Sequence, residues 1–311
     1  MLAAQICMPK KKSDSFHRFF PAKLLLFGEH TVNKGSAGLA IPTNLFEGFF
    51  KTTDQLAGKT AASNQSLELL ANYIIFHPKL SKHIDTNRLL SDIENGLYFD
   101  STIPQGYGLG SSGALAAGIL HNYGIDINRS NFSATKEILA DIESYFHGKS
   151  SGLDALVSFL NTPVYITKDK TTQATVPDFS KIPLKFFLLN TGKPRNTATY
   201  VNLFLKKNEH LAFNKQVETC LVPNVNLCID SFMKNDSATL FKSFGILSQH
   251  QINLLPEFIP ENLHTLWHEG LKNKHFYLKI CGAGGGGFML GVCLPDIAPE
   301  LIFKSHQIML L

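Results

Sequence analysis

Ten residues, Pro104-Gln105-Gly106-Tyr107-Gly108-Leu109-Gly110-Ser111-Ser112-Gly113, constrain this chain more than any other segment. They stand directly before a stretch of helical periodicity that runs from about Ser112 to Tyr123, with Leu115, Ile119 and Leu120 on one face and Gly124 as a stop. Alternate glycines let the backbone take positive φ and approach a ligand closely. A helix starting here would turn unpaired N–H groups and a partial positive charge toward that ligand, which predicts a phosphate cradle. The Lys-Ser/Thr ending of a Walker A loop is absent, and the glycine spacing does not fit a dinucleotide fingerprint. Ser111 and Ser112 could donate to phosphate oxygens, and one of them could ligate Mg²⁺. The same residues also allow a plain glycine-rich turn with a serine helix cap.

Three further segments carry chemistry. Gly282-Ala283-Gly284-Gly285-Gly286-Gly287 lies between the strand-like runs Tyr277 to Ile280 and Phe288 to Val292. Its glycines exceed what a hairpin requires, so a second ligand-facing loop is expected. Pro21 to Val32 sets Lys23 before a short apolar run and Glu29-His30 after it. Glu143, near the end of a helical pattern from about Phe132 to Phe146, precedes Asp154, which sits in a Ser-Gly turn context where an acid commonly caps. No His or Cys spacing suits zinc, and a Gly-x-Ser-x-Gly elbow is missing.

With 311 residues the chain is long for one core, and two lobes are expected, at residues 1–175 and 176–311. The hand-over is placed in the polar stretch Lys168 to Lys181. Strands are read at Leu24 to Phe27, Leu45 to Lys51, Pro163 to Thr167 and Phe186 to Leu189, and helices at Ser66 to Phe76, Val225 to Lys234 and Ala238 to Leu247. Mixed without βαβ repetition, they predict an α+β fold rather than a doubly wound sheet. A net charge of +4, scattered apart from Lys10-Lys11-Lys12, implies no nucleic-acid partner and suits an anionic small molecule. Neither a secretory signal nor a membrane span is legible, and five cysteines without a paired Cys-x-x-Cys pattern favour a reduced, cytoplasmic setting.

In this order, the four segments resemble the GHMP kinase family: its first motif over Pro21 to Gly35, its second over Pro104 to Ala114 and its third over Lys279 to Gly287. Gly28-Glu29-His30-Thr31-Val32 is similar to the form found in the mevalonate kinases of the family. Galactokinases carry Asp-Tyr where Val32-Asn33 stands. Asn190-Thr191-Gly192-Lys193-Pro194-Arg195-Asn196-Thr197 resembles a further segment of the mevalonate-specific members.

The resemblance implies a ribosomal protein S5 domain 2-like N-terminal lobe, a ferredoxin-like C-terminal lobe, and ATP and Mg²⁺ in the cleft between them. It implies that Pro104, Gly106, Gly108, Leu109, Gly110, Ser111, Ser112 and Gly113 form the phosphate loop, with Ser112 and Glu143 as Mg²⁺ ligands. Asp154 would be the acid beside the acceptor hydroxyl and Lys23 the cation near it. His30, Arg195 and Thr197 would contact a mevalonate-like hydroxy acid, and Gly282, Ala283, Gly284 and Gly285 would form the third-motif loop. A homodimer is compatible with this reading. Other GHMP acceptors, phosphomevalonate or a sugar, stay open, as does a non-catalytic metabolite sensor. Three departures stand out: Lys149-Ser150 where the family has Asn-Pro, Gly113 for Ala, and Cys281 for Thr. The first touches the acceptor loop, and the other two are expected to be conservative.

Overall fold

The computed structural model describes residues 18–311, so Cys7 and the Lys10-Lys11-Lys12 run lie outside the described residues. In chain order the first half contains β1 (Phe20–Phe27), β2 (Gly38–Thr52), α1 (Lys59–Phe76), α2 (Leu80–His83), α3 (Thr86–Glu94), β3 (Leu97–Ser101), α4 (Ser111–Tyr123), α5 (Phe132–His147), α6 (Leu153–Leu160), β4 (Val164–Ile166) and β5 (Thr171–Gln173). The second contains β6 (Lys185–Asn190), α7 (Thr197–Asn208), α8 (Leu211–Gln216), α9 (Val222–Met233), α10 (Ser237–Leu254), α11 (Glu261–Asn273), β7 (Phe276–Ile280), β8 (Phe288–Cys293), α12 (Pro299–Ile302) and β9 (Ile308–Leu310).

The long strand β2 organises the first sheet. β1 runs antiparallel along it, while β3 pairs with its end over Gly48–Thr52 and β4 with its start over Gly38–Ala40; β5 then folds back on β4. The expected strand at Leu45 to Lys51 is therefore only the last part of β2. Pro42, Asn44 and Glu47 break its alternation, and the register of β1 shifts between Pro21 and Ala22, which hides one continuous strand from a period-two reading. The polar stretch Lys168 to Lys181 is partly folded too, holding β5 and a short 3₁₀ turn at Phe179–Lys181.

The second sheet is antiparallel in the order β7-β8-β6-β9. Numbered within this half, that is spatial order 4-1-3-2, the ferredoxin-like plan, with α7 to α11 inserted between its first two strands and α12 between its last two. The chain thus has the expected α+β fold, with a ferredoxin-like second half.

Helix starts follow local chemistry. Asp85, Asn131, Asn196 and Asp236 each accept a backbone N–H at the head of α3, α5, α7 and α10. α4 and α6 pack together and cover the first sheet, α10 and α11 cover β7, and α9 packs on α10 while touching β1 and β2. Phe27, at the end of β1, meets Phe232 of α9 and Phe244 of α10 edge-on, at 6.3 and 6.1 Å between ring centres. The buried apolar residues beneath both sheets accordingly form one continuous core. No helix among the described residues is long and apolar enough to cross a membrane.

Candidate active site

β1 is buried along nearly its whole length, and Lys23 is carried into that buried setting with a side chain only 7% exposed. An ammonium there needs a partner, because a desolvated charge is costly unless it is paired. Its Nζ lies 2.6 Å from Oδ1 of Asp154. The Lys23 N–H also donates to the Leu109 carbonyl at 2.9 Å, which pins the strand to the glycine loop. Asp154 is not the cap of α6: Gly152, at φ 69°, holds that position and Asp154 falls in the first turn.

The two acid-bearing and phosphate-facing helices meet at glycine. A Cβ on Gly110 would lie 3.4 Å from Oδ2 of Asp154, so the carboxylate rests against the end of the loop. A Cβ on Gly113 would come within 2.7 Å of the Ala155 nitrogen. Replacing the family's alanine by Gly113 is therefore not a conservative change here, since it permits an approach of α4 to α6 that a methyl group would block.

Gly106, Gly108 and Gly110 have φ of 77°, 77° and 73°, as the alternating pattern predicts. α4 begins at Ser111 with Gly110 as its cap and no side-chain cap bond, so neither serine serves the plain capping role. The first N–H groups of α4 are left without intrahelical partners, which is the requirement for holding anionic oxygens.

Ser112 Oγ instead lies 3.0 Å from Oε1 of Glu143 and 2.9 Å from Nε2 of His147. Having a single proton, Ser112 donates to the carboxylate and receives from the imidazole. The other Glu143 oxygen accepts from Ser150 Oγ at 2.5 Å. Burial first, and then the charge of Asp154, push the Glu143 carboxyl up to about 7, against the opposing pull of Ser150, Ser112 and Lys23. Among the described residues no trio of His, Cys, Asp or Glu could enclose a metal. One carboxylate and one hydroxyl suit Mg²⁺, a hard ion that keeps phosphate and water ligands, and do not suit zinc.

Arg195 is wedged between the two glycine loops. Its backbone N–H donates to the Gly106 carbonyl at 2.9 Å and its Nη1 to the Cys281 carbonyl at 2.5 Å. A Cβ would meet its Nη2 at 1.6 Å from Gly108 and at 2.3 Å from Gly282. Burial lowers its basicity below the usual arginine range, and its Nε is buried with no hydrogen-bond partner. A cradle with an unsatisfied guanidinium N–H at its rim fits the phosphates of ATP.

Much of the third-motif loop packs against protein. Gly284, Gly286 and Gly287 are buried, and added Cβ atoms would strike Phe258 at 2.9 Å, the Lys193 carbonyl at 2.7 Å and the Tyr107 backbone at 2.6 Å. At Gly285 the obstacle is the Tyr200 ring, at 1.8 Å. These glycines make room for protein, and the loop adjoins the cradle at both ends, Gly282 through Arg195 and Gly287 through Tyr107. Cys281 is buried with its thiol pushed up by burial.

His30, at φ 62°, stacks on Phe204 at 4.6 Å and directs Nε2 to the Ala283 carbonyl at 3.1 Å. A carbonyl only accepts, so Nε2 carries the proton and Nδ1 is the nitrogen left for a ligand. Thr197 opens α7, exposed and without a side-chain hydrogen bond among the described residues. Glu29, beside His30, forms a fully buried pair with Lys279 of β7 at 2.5 Å, joining the two sheets; burial pushes its carboxyl up, with the Lys279 ammonium opposing.

The structure thus gathers Lys23, Asp154, Gly110, Ser112 and Glu143 at one place and Gly108, Arg195 and Gly282 at another, while Thr197 makes none of these contacts. His147, just beyond the helical pattern read to Phe146, and Ser150, noted only as a departure from pattern, were not singled out as site residues. Neither had a local signal for its contact, although the four-residue spacing from Glu143 to His147 sets both on one helical face.

Comparison with known proteins follows the same line. Residues 74–162 match the family described as GHMP kinases N terminal domain. The mevalonate kinase of Archaeoglobus fulgidus is 23% identical over 88% of this chain and 90% of its own length. That of Schizosaccharomyces pombe is 25% identical over 90% of this chain and 83% of its own. Among solved structures, Lactococcus lactis galactokinase complexed with galactose superposes with a TM-score of 0.68 at 14% identity, covering 96% of this chain and 93% of that one.

Proposed function

We propose that this chain, an ATP-dependent kinase of the GHMP family, phosphorylates the primary hydroxyl of mevalonate to give 5-phosphomevalonate. The observation that carries the reading is the Lys23–Asp154 pair at 2.6 Å, set against Gly110 at the head of the phosphate cradle. A base and a cation are then adjacent to the place where a terminal phosphate would lie.

Phosphoryl transfer demands positioning and charge neutralisation more than covalent chemistry. Asp154 takes the proton of the acceptor hydroxyl, and Lys23 stabilises the negative charge left on that oxygen. The free N–H groups at the start of α4 and the guanidinium of Arg195 face the phosphate oxygens. Ser112 and Glu143 would hold Mg²⁺, which when bound neutralises phosphate charge. His30 offers Nδ1 to an acceptor hydroxyl, its ring fixed by Phe204 and Ala283.

The acceptor is supported by Gly28 to Val32, by Asn190 to Thr197 and by the two curated relatives; the fold alone does not select it, since a galactokinase shares it. The strand membership of the two sheets supports a division of lobes at residues 175/176. Four described cysteines, all unpaired, suit the cytoplasm.

The test is ADP release from the purified chain with ATP and Mg²⁺ over mevalonate, phosphomevalonate, galactose and homoserine. Mevalonate is expected to be turned over with the highest kcat/KM. A clear preference for another acceptor overturns the substrate assignment, and release with none overturns the kinase reading.

A further inference from the structure

Of the three departures from the family pattern, Lys149-Ser150 has the most specific geometry. Ser150 follows α5 and precedes the turn into α6, so it lies between the helix that carries Glu143 and the helix that carries Asp154. Its Oγ donates to Oε2 of Glu143 at 2.5 Å and accepts the Gly152 N–H at 3.0 Å. Its backbone N–H in turn donates to Ser144 Oγ at 3.1 Å, which ties it back to α5. A hydroxyl has one proton, and because Gly152 is already a donor to this oxygen, that proton is committed to the carboxylate. A proline at this position has neither the hydroxyl nor the N–H.

Glu143 is almost wholly buried, at 4% exposure, so the orientation of its carboxylate is set by these partners and not by solvent. Ser150 engages Oε2, and Oε1 faces Ser112 Oγ at 3.0 Å. We propose that Ser150 is a positioning residue for the Mg²⁺ site: it occupies one oxygen of Glu143, so that the carboxylate offers only the other, next to Ser112, to the cation. The contact between Ser150 and Gly152 also couples that carboxylate to the turn from which Asp154 projects. This inference rests on Ser112 and Glu143 being the Mg²⁺ ligands.

Outer partners of metal ligands typically change metal affinity by roughly 10- to 100-fold when removed. The experiment measures Mn²⁺ binding, in the presence of ADP, by electron paramagnetic resonance for the intact chain and for Ser150→Ala, Ser150→Thr and Glu143→Gln. Thermal unfolding of each variant checks that it is folded. We expect Ser150→Ala to weaken Mn²⁺ binding about 10-fold or more, with Ser150→Thr, which keeps the hydroxyl, close to the parent. In steady-state assays the Mg²⁺ concentration for half-maximal rate should rise in Ser150→Ala while acceptor KM holds. Parent-like Mn²⁺ binding in Ser150→Ala overturns the proposal, and so does equal loss in the alanine and threonine variants. If Glu143→Gln binds Mn²⁺ as the parent does, the ligand assignment itself has failed, and the role of Ser150 falls with it.

Discussion

Lys23 of β1 and Asp154 of α6 are joined Nζ to Oδ1 at 2.6 Å, across the mouth of a glycine loop that touches both. Each is the other's main counter-charge, so each should matter to turnover through the pair. Asp154→Asn is expected to lower kcat by about 10²–10⁴-fold with nucleotide binding retained. Lys23→Met should cost about 10²–10³-fold, and the double variant should be little worse than the poorer single one, as for groups that act as a unit. Additive losses in steady-state kinetics would count against a shared role.

Glu29→Gln should destabilise the fold by about 3–5 kcal/mol, because it strands a buried ammonium. Glu29 also accepts the Gly282 N–H at 3.4 Å, so the loop at the rim of the cradle should loosen as well. Replacing the pair together, by Glu29→Leu with Lys279→Met, should lose much less. Urea midpoints for the three proteins decide this, and an intact midpoint in Glu29→Gln would contradict the pairing.

Gly113→Ala tests the close approach of α4 to α6. Overpacking against backbone typically costs about 1–3 kcal/mol, although alanine is the better helix former. A lower urea midpoint is expected, accompanied by lower kcat because Asp154 must shift with the start of α6. A raised midpoint would mean that propensity outweighs the contact.

Acid should weaken the fold through its histidines. Burial lowers His30 to about 4, with the charge of Arg195 adding to it and the Ala283 carbonyl opposing. His121 is lowered to about 4 as well, by burial and by Arg18 and Arg129. Between about 6.5 and 4 the unfolded chain takes up protons that the folded chain refuses, so stability is fully present above 6.5 and falls as pH drops toward 4. The urea midpoint should decline from pH 7 to pH 5, and more gently in His30→Gln. An unchanged decline in that variant would remove His30 from the account.

The legible parts of the molecule were those specified by near neighbours. Gly106 to Ser112 announces a cradle because alternate glycines before an apolar helix have few other uses, and α4 and α5 follow from periodicity. α6 was hidden because Leu153 to Leu160 spans barely two turns, too short to establish a helical period even though Asp154 and Ser158 share one face, and the Ser-Gly context before it suggested a turn. The Glu29–Lys279 pair and the seat of Arg195 could not be read at all, since their partners lie far apart in sequence and meet only after both sheets form. The third-motif glycines were noticed for their freedom from side chains, but that they make room for Phe258, Tyr200 and Tyr107 could not be read, since those partners lie far off in sequence.

The seat of Arg195 has a consequence for how such a chain can be altered. As seated, its guanidinium fills the space that a Cβ on Gly108 or on Gly282 would need, so residues from three distant stretches meet at one point. A chimera that borrowed its first half from a relative would have to bring a matching gap at the position of Gly108, or the borrowed loop and the native arginine would compete for the same space. Exchange of segments between relatives is therefore constrained at this joint more tightly than the individual residues would suggest.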